Sequence, residues 1–213
     1  MIRIRWHGHS CFEISNGKSL VIDPHDGASI GIAPPKTKAD IVAITHEHFD
    51  HNKARIVEKE NTIVVRGGNK IIDGIEIQSF KAFHDKEKGK KRGEINIYKI
   101  KYDFLTLCHL SDLGHLLDDE TIKKIGAIDI LFIPVGGVFT IDAEDACELC
   151  KRMDTKIIVP MHYKIEGLSL PIERIDKFIE IARKFYPIRY VANEIEIEKE
   201  DIVEEKEVWV FSL

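Results

Sequence analysis

The segment Thr45-His46-Glu47-His48-Phe49-Asp50-His51 constrains this chain more than any other part of it. It closes Asp40–Thr45, an apolar run of strand character, so the polar cluster sits where a strand gives out. His46 and His48 are two apart, and alternate side chains of an extended backbone share a face, so both imidazoles project to one side. A turn after Phe49 can bring Asp50 and His51 to a second point close by. Imidazole and carboxylate are the ligands zinc takes in catalytic sites. Packing gives no reason to gather three histidines and an aspartate within six residues. The fold must therefore deliver a strand end to a polar pocket and supply further ligands from elsewhere in the chain.

The rest of the chain has the elements for that. Ile2–Trp6, Ser10–Ile14 and Ser19–Ile22 read as short strands rich in β-branched or aromatic residues, with a turn at Asn16-Gly17. A helix is expected over Lys53–Glu60, then strands near Thr62–Val65 and Ile75–Phe83, then a polar loop His84–Gly93. Ile95–Tyr102 and Phe104–Cys108 form a hairpin through Asp103. Next comes a helix over Asp118–Ile125, stopped at Gly126, and another over Ile141–Met153. These alternate with strands Ile130–Val135 and Lys156–Pro160. Ile172, Ile175, Phe178, Ala182 and Phe185 mark an amphipathic helix, and Glu207–Ser212 closes as a strand. With 213 residues, no repeat and no linker, the expectation is one α+β domain over residues 1–213, two strand-rich layers between helices.

Composition narrows the function classes. A hydrophobic fraction of 44% is that of a globular protein. A net charge of -5 argues against nucleic acid as a bulk electrostatic partner. No leader pattern and no apolar run of roughly 18–20 residues is seen, so the expectation is a cytoplasmic protein without membrane insertion. Cys147 and Cys150 form a C-x-x-C, but with Ala143, Ala146 and Met153 they make one apolar helical stripe, which packing explains.

An H-x-H-x-D-H motif after a strand resembles the signature of the metallo-β-lactamase superfamily, whose fold is a four-layer αββα sandwich. Trp6-His7-Gly8-His9-Ser10 with the later Asp23-Pro24 resembles the opening of the branch that contains ascorbate-6-phosphate lactonases and N-acylphosphatidylethanolamine phospholipases. His84-Asp85, then His109-Leu110-Ser111-Asp112-Leu113-Gly114-His115, then Pro160-Met161-His162-Tyr163 follow in the order the resemblance expects. It implies a binuclear site, with His46, His48 and His84 on one metal, Asp50, His51 and His162 on the other, and Asp112 bridging. The expected cofactors are two divalent ions, zinc foremost. The implied activity is hydrolysis of a small lactone, ester or phosphoester by a hydroxide held between the ions. Asp50 would orient that hydroxide or carry its proton. Ser111 departs from the resemblance, which more often has glycine before the bridging aspartate.

Read without the resemblance, the later positions are less constrained. His84 closes a strand and opens a loop, Asp112 can cap a helix, and His162 can bond within its own loop. His109 and His115 flank Asp112; His109 is expected behind a ligand rather than as one. His7 and His9 share a face and are pocket candidates. Asp23 and Glu47 are candidate partners for the outer ring nitrogens of ligating histidines. Tyr163 follows a ligand and is a candidate donor to the leaving oxygen, or else a packed aromatic. The loop from Lys86 to Gly93 carries Lys86, Lys88, Lys90, Lys91 and Arg92, which suits either a solvated surface loop or contact with an anionic small-molecule substrate. In the resembling families the Arg92-to-Asn96 stretch has a loop-shaping role. No serine elbow, phosphate loop or dinucleotide fingerprint is present. A metal-dependent nuclease and a non-catalytic metal-binding protein are the alternatives; lack of aromatic platforms and of positive charge disfavours nucleic acid. A homo-oligomer is left open.

Overall fold

Alternation builds the first layer. In β1 (Ile2–Trp6), Ile2, Ile4 and Trp6 are buried while Arg3 is exposed, the period-two pattern of a strand with one face on a core. β2 (Phe12–Asn16) and β3 (Lys18–Ile22) form the expected hairpin at Gly17, whose φ of +76° suits a residue without a Cβ. β4 (Ala39–Ala43) follows, then a short α1 (Ala54–Val57) and β5 (Glu58–Val65). In this computed structural model, which describes residues 1–202 and 204–213, the remaining strands are β6 (Lys70–Ile72), β7 (Ile75–Phe83), β8 (Glu94–Tyr102), β9 (Leu105–His109), β10 (Ile128–Pro134), β11 (Thr155–Met161), β12 (Ile188–Val191), β13 (Glu194–Ile197) and β14 (Glu207–Phe211). The other helices are α2 (Asp119–Ile125), α3 (Ala143–Arg152) and α4 (Asp176–Ala182).

The strands make a six-stranded sheet ordered β13-β1-β2-β3-β4-β5 and an eight-stranded sheet ordered β12-β14-β11-β10-β9-β8-β7-β6. The apolar core lies between them: Ile41 and Ala43 of β4 join it, while Val42 and Ala39 face outward onto Ala54 and Val57 of α1. On the larger sheet, β10 and β11 are buried at consecutive positions, as parallel strands covered on both faces must be. Helix–sheet–sheet–helix layering is thus the architecture, in agreement with the expected α+β sandwich.

Strand direction positions the site. In the smaller sheet β1 and β3 are each antiparallel to β2, and β3 is parallel to β4, so β1, β3 and β4 run the same way. In the larger sheet β7 and β9 are each antiparallel to β8, and β9, β10 and β11 are mutually parallel, so β7, β9, β10 and β11 also share one direction. His9, Asp23 and His46 lie just past the carboxyl ends of β1, β3 and β4. His84, Asp112 and His162 lie just past those of β7, β9 and β11. One edge of the sandwich therefore collects all six.

Two helices have the ends expected of them. Asp118 Oδ1 accepts from Thr121 N at the start of α2, which stops at Gly126, and Asp142 Oδ1 accepts from Asp145 N at the start of α3. Cys147 and Cys150 are buried along α3 as free thiols, and burial raises both above the usual range, so neither is poised as a thiolate. The helix expected over Lys53–Glu60 is only Ala54–Val57, because Glu58 already enters β5 beside β4. Phe185, placed on the apolar stripe of the last helix, lies beyond α4 and is 54% exposed. Among the described residues no helix is long and apolar enough to cross a membrane.

Candidate metal centre

The strand ends converge on one carboxylate oxygen. Asp112 Oδ2 lies 3.1 Å from His162 Nε2, 3.2 Å from His51 Nε2, 3.2 Å from His84 Nε2 and 3.8 Å from His46 Nε2. Around it the donor atoms of His46, His48 and His84 form one group, and those of His9, Asp50, His51 and His162 a second, each within 4.8 Å of one another. The turn expected after Phe49 is present, with His51 N donating to His48 O.

Outer contacts decide which ring nitrogen faces inward. His51 Nδ1 donates to Asp23 Oδ2 at 3.0 Å, His84 Nδ1 to the Phe139 carbonyl at 2.9 Å, and His46 Nδ1 to Thr45 Oγ1 at 3.0 Å. A neutral imidazole with its proton at Nδ1 presents a lone pair at Nε2. Three such lone pairs then face an anionic oxygen, a repulsive arrangement unless positive charge lies among them. Asp112 Oδ1 and His162 Nδ1 are buried without hydrogen-bond partners, and buried polar atoms of that kind call for an ion or a proton. Burial drives His46 down to about 2 and His9 to about 3, so both remain neutral, the state a metal requires. Without a cation among these groups, Asp112 and Asp50 outweigh the burial penalty and hold His51 well above its usual range, a proton then standing where a metal ion would leave Nε2 its lone pair. The same attraction holds Asp50 and Asp112 ionised despite their burial. The donor set and its unmatched atoms fit divalent cations.

Local backbone is bent to achieve this. His9, Asp23, Ser111 and His162 all have φ between +47° and +57°, a region costing L-residues roughly 1–2 kcal/mol. Gly114 and Gly136 allow close approach. A Cβ on Gly114 would come within 2.3 Å of the His84–Asp85 backbone, and one on Gly136 within 2.1 Å of the His162 carbonyl.

All seven sequence-expected ligands, His46, His48, Asp50, His51, His84, Asp112 and His162, come together. His9 joins them, its Nε2 3.0 Å from Asp50 Oδ2. Asp23 is the expected partner of a histidine, whereas Glu47 is exposed and pairs with Arg66. His109 sits behind the site, bonded to Ser10 O and Ser111 N, and His115 accepts from Phe83 N. His7 pairs with Glu13. Tyr163 corrects an expectation: its hydroxyl donates to the Phe211 carbonyl and its ring packs on Trp6, so it is committed to the core. Sequence reasoning missed Thr45, Ser111 and the Phe139 carbonyl as supports. Nothing in residue type distinguishes a backbone carbonyl, and a hydroxyl signals its role only once its neighbours are known.

A cavity of about 190 Å³ opens beside this cluster, lined by His48, Phe49, Asp50, His84, Arg92, Asp112, Phe139 and Leu170.

Comparison with known proteins agrees with the geometry. The family described as a Beta-lactamase superfamily domain matches residues 3–162. A UPF0173 metal-dependent hydrolase of Pelotomaculum thermopropionicum is 30% identical over 192 residues, covering 76% of this chain and 84% of that protein. One from Thermococcus onnurineus is 30% identical over 190 residues, with 76% and 85% covered. A crystal structure from Thermotoga maritima, assigned to the metallo-β-lactamase superfamily, superposes with a TM-score of 0.81 at 31% identity, covering 99% of this chain and 98% of that one. Its fold and its relatives together establish that the chain belongs to the metallo-β-lactamase superfamily, in the family of UPF0173 metal-dependent hydrolases.

Proposed function

We propose that the chain hydrolyses a small lactone, ester or phosphoester at a site that takes two divalent metal ions, zinc foremost. His46, His48 and His84 would hold one ion. Asp50, His51 and His162 would hold the other, with His9 beside them, and Asp112 would serve both. The observation that carries this reading is the single oxygen, Asp112 Oδ2, set 3.1–3.8 Å from four Nε2 atoms drawn from both donor groups. The Thermotoga maritima neighbour has zinc dependence in its name, and a substrate of the lactone or phosphodiester kind accords with the resemblance carried by Trp6–Ser10 and Asp23-Pro24.

When bound, paired divalent ions acidify water toward a pKa of about 7 and stabilise the charge that develops on the attacked group. The residues of the chain do the rest. Asp23, Thr45 and Phe139 fix the ring orientations of His51, His46 and His84. Asp50 remains ionised at the cavity wall with Oδ2 engaged by His9 and His51. From there the Asp50 carboxylate would orient the attacking water or take up its proton. Phe49, Phe139 and Leu170 exclude bulk water from the same space.

Metal-replete protein assayed over lactone, phosphodiester and aryl ester panels tests the proposal. Hydrolysis abolished by a chelator and restored by zinc is the expected result. Protein that carries its metals and is silent across the panel would favour the non-catalytic metal-binding reading.

A further inference from the structure

The basic loop is not a diffuse positive surface. Asp85, whose carboxylate accepts from the backbone N–H groups of Glu87, Gly89, Lys91 and Arg92 at 2.7–3.0 Å, winds Lys86–Arg92 around itself. That winding sends the cations in different directions. Lys86 pairs with Asp145, and Lys91 with Glu87. Lys88 and Lys90 are exposed, and neither lines the cavity beside Asp112. Arg92 does line it.

Arg92 also lines the neighbouring cavity of about 340 Å³ that includes His46, His48, Arg66, Lys81, Glu47 and Glu94. There Arg66 is matched by Glu47 and Lys81 by Glu94. Among the described residues, Arg92 is the cation on these two cavities with no carboxylate within 4.0 Å. Its guanidinium instead lies 4.2 Å above the Phe139 ring. Stacking there holds the planar group while leaving its N–H edges unspent. Those edges suit an oxyanion taken in bidentate fashion.

The wall between Arg92 and the metal centre is apolar: Phe49, 48% exposed, with half-buried Phe139 and Leu170. At about 190 Å³ the space is smaller than the roughly 300–1,000 Å³ of drug-sized pockets. It suits a short apolar segment. Phe139 ties the two ends together, since its carbonyl holds His84 and its ring carries Arg92.

Building on the hydrolase reading above, we propose that Arg92 is a specificity residue, and that the substrate has a terminal oxyanion joined by a short apolar segment to the bond that is cleaved. The hydrolysable group sits at the histidine cluster, the segment lies along Phe49, Phe139 and Leu170, and the oxyanion meets Arg92.

Calorimetric binding of monomethyl adipate and of methyl hexanoate to zinc-loaded protein tests this, in the wild type and in Arg92→Ala and Arg92→Lys. A charged hydrogen bond is worth about 1.5–3 kcal/mol, so the adipate monoester should bind the wild type about 10- to 100-fold more tightly than Arg92→Ala. Lysine should recover part of that, and methyl hexanoate should not distinguish the three proteins. The preference should also shrink as salt is raised, because Arg92 is exposed. Equal binding of the monoester by wild type and Arg92→Ala overturns the proposal, and so does a wild type that binds neither probe. Metal content measured on the same samples keeps the two readings apart: Arg92 can fail with two ions bound, whereas wild-type protein that takes up no zinc counts against the metal centre itself.

Discussion

Ser111 Oγ donates to Thr45 Oγ1 over 2.7 Å, joining the loop that carries Asp112 to the strand end that opens the histidine motif. Thr45 Oγ1 in turn donates to Asp23 Oδ2 at 2.6 Å, and Asp23 accepts from His51 Nδ1. Ser111 stands where the resembling families more often have glycine, at φ +57°, so the hydroxyl is kept in a conformation that disfavours a side chain.

Ser111→Ala and Ser111→Gly separate hydroxyl from backbone. Outer partners of ligating histidines typically change metal affinity 10- to 100-fold. Both variants should weaken zinc binding in chelator competition, while Ser111→Gly should be the more stable in urea without metal. Unchanged affinity in both variants would show that the hydroxyl does not support the site.

Asp50→Asn keeps shape and an oxygen donor but loses the charge. The first ion should be retained and the second weakened, with kcat reduced about 100-fold or more. Wild-type activity should rise with pH through about 7, and the variant should lower the plateau of that profile rather than displace it. Full activity with two ions bound would leave Asp50 a purely structural carboxylate.

Val138 is the centre of a three-residue turn in which Phe139 N donates to Gly137 O at 2.6 Å, with φ +58° and the side chain 63% exposed. A β-branched residue in this region is strained by about 1–2 kcal/mol, and little burial offsets it. Val138→Gly should therefore raise stability by roughly 0.5–1 kcal/mol after the entropy of glycine is counted. A thermal midpoint that falls would show that the valine makes a stabilising contact.

His25 is buried with Nε2 donating to the His7 carbonyl and Nδ1 unpartnered. Burial lowers it from 6.5 to about 4. Between those values the unfolded chain binds a proton that the folded chain does not. Its contribution to stability is thus complete above pH 6.5 and is lost as pH falls toward 4, by up to about 3 kcal/mol. In metal-free protein, urea midpoints from pH 7 to 4 should decline less in His25→Gln, whose amide can still reach His7 O. Parallel declines in the two proteins would contradict the assignment.

Much of this was legible because local and tertiary signals agree. The capped helices α2 and α3, the hairpins at Gly17 and Asp103, and the H-x-H-x-D-H strand end each follow from residue type and spacing. The edge strands β6, β12 and β13 did not stand out: they are short and mostly no more than half-buried, and the neighbours they pair with make them strands. Glu58–Glu60 reads as helix by propensity but is drawn into β5 by pairing with β4. At the site, imidazoles and carboxylates announced themselves. The left-handed backbones of His9, Asp23, Ser111 and His162 did not, since no glycine marks them. Tyr163 was left between a pocket donor and a packed aromatic because adjacency to His162, just past β11, does not say which way the next side chain turns.

Metal content per chain tests the central claim most directly. Elemental mass spectrometry of zinc-loaded protein should give two ions per chain for the wild type and about one for His46→Ala/His48→Ala. Asp112→Ala should lose metal from both positions, because its Oδ2 faces His46 and His84 of one group and His51 and His162 of the other. Metal content unchanged in the double histidine variant, with the protein folded, would contradict the account.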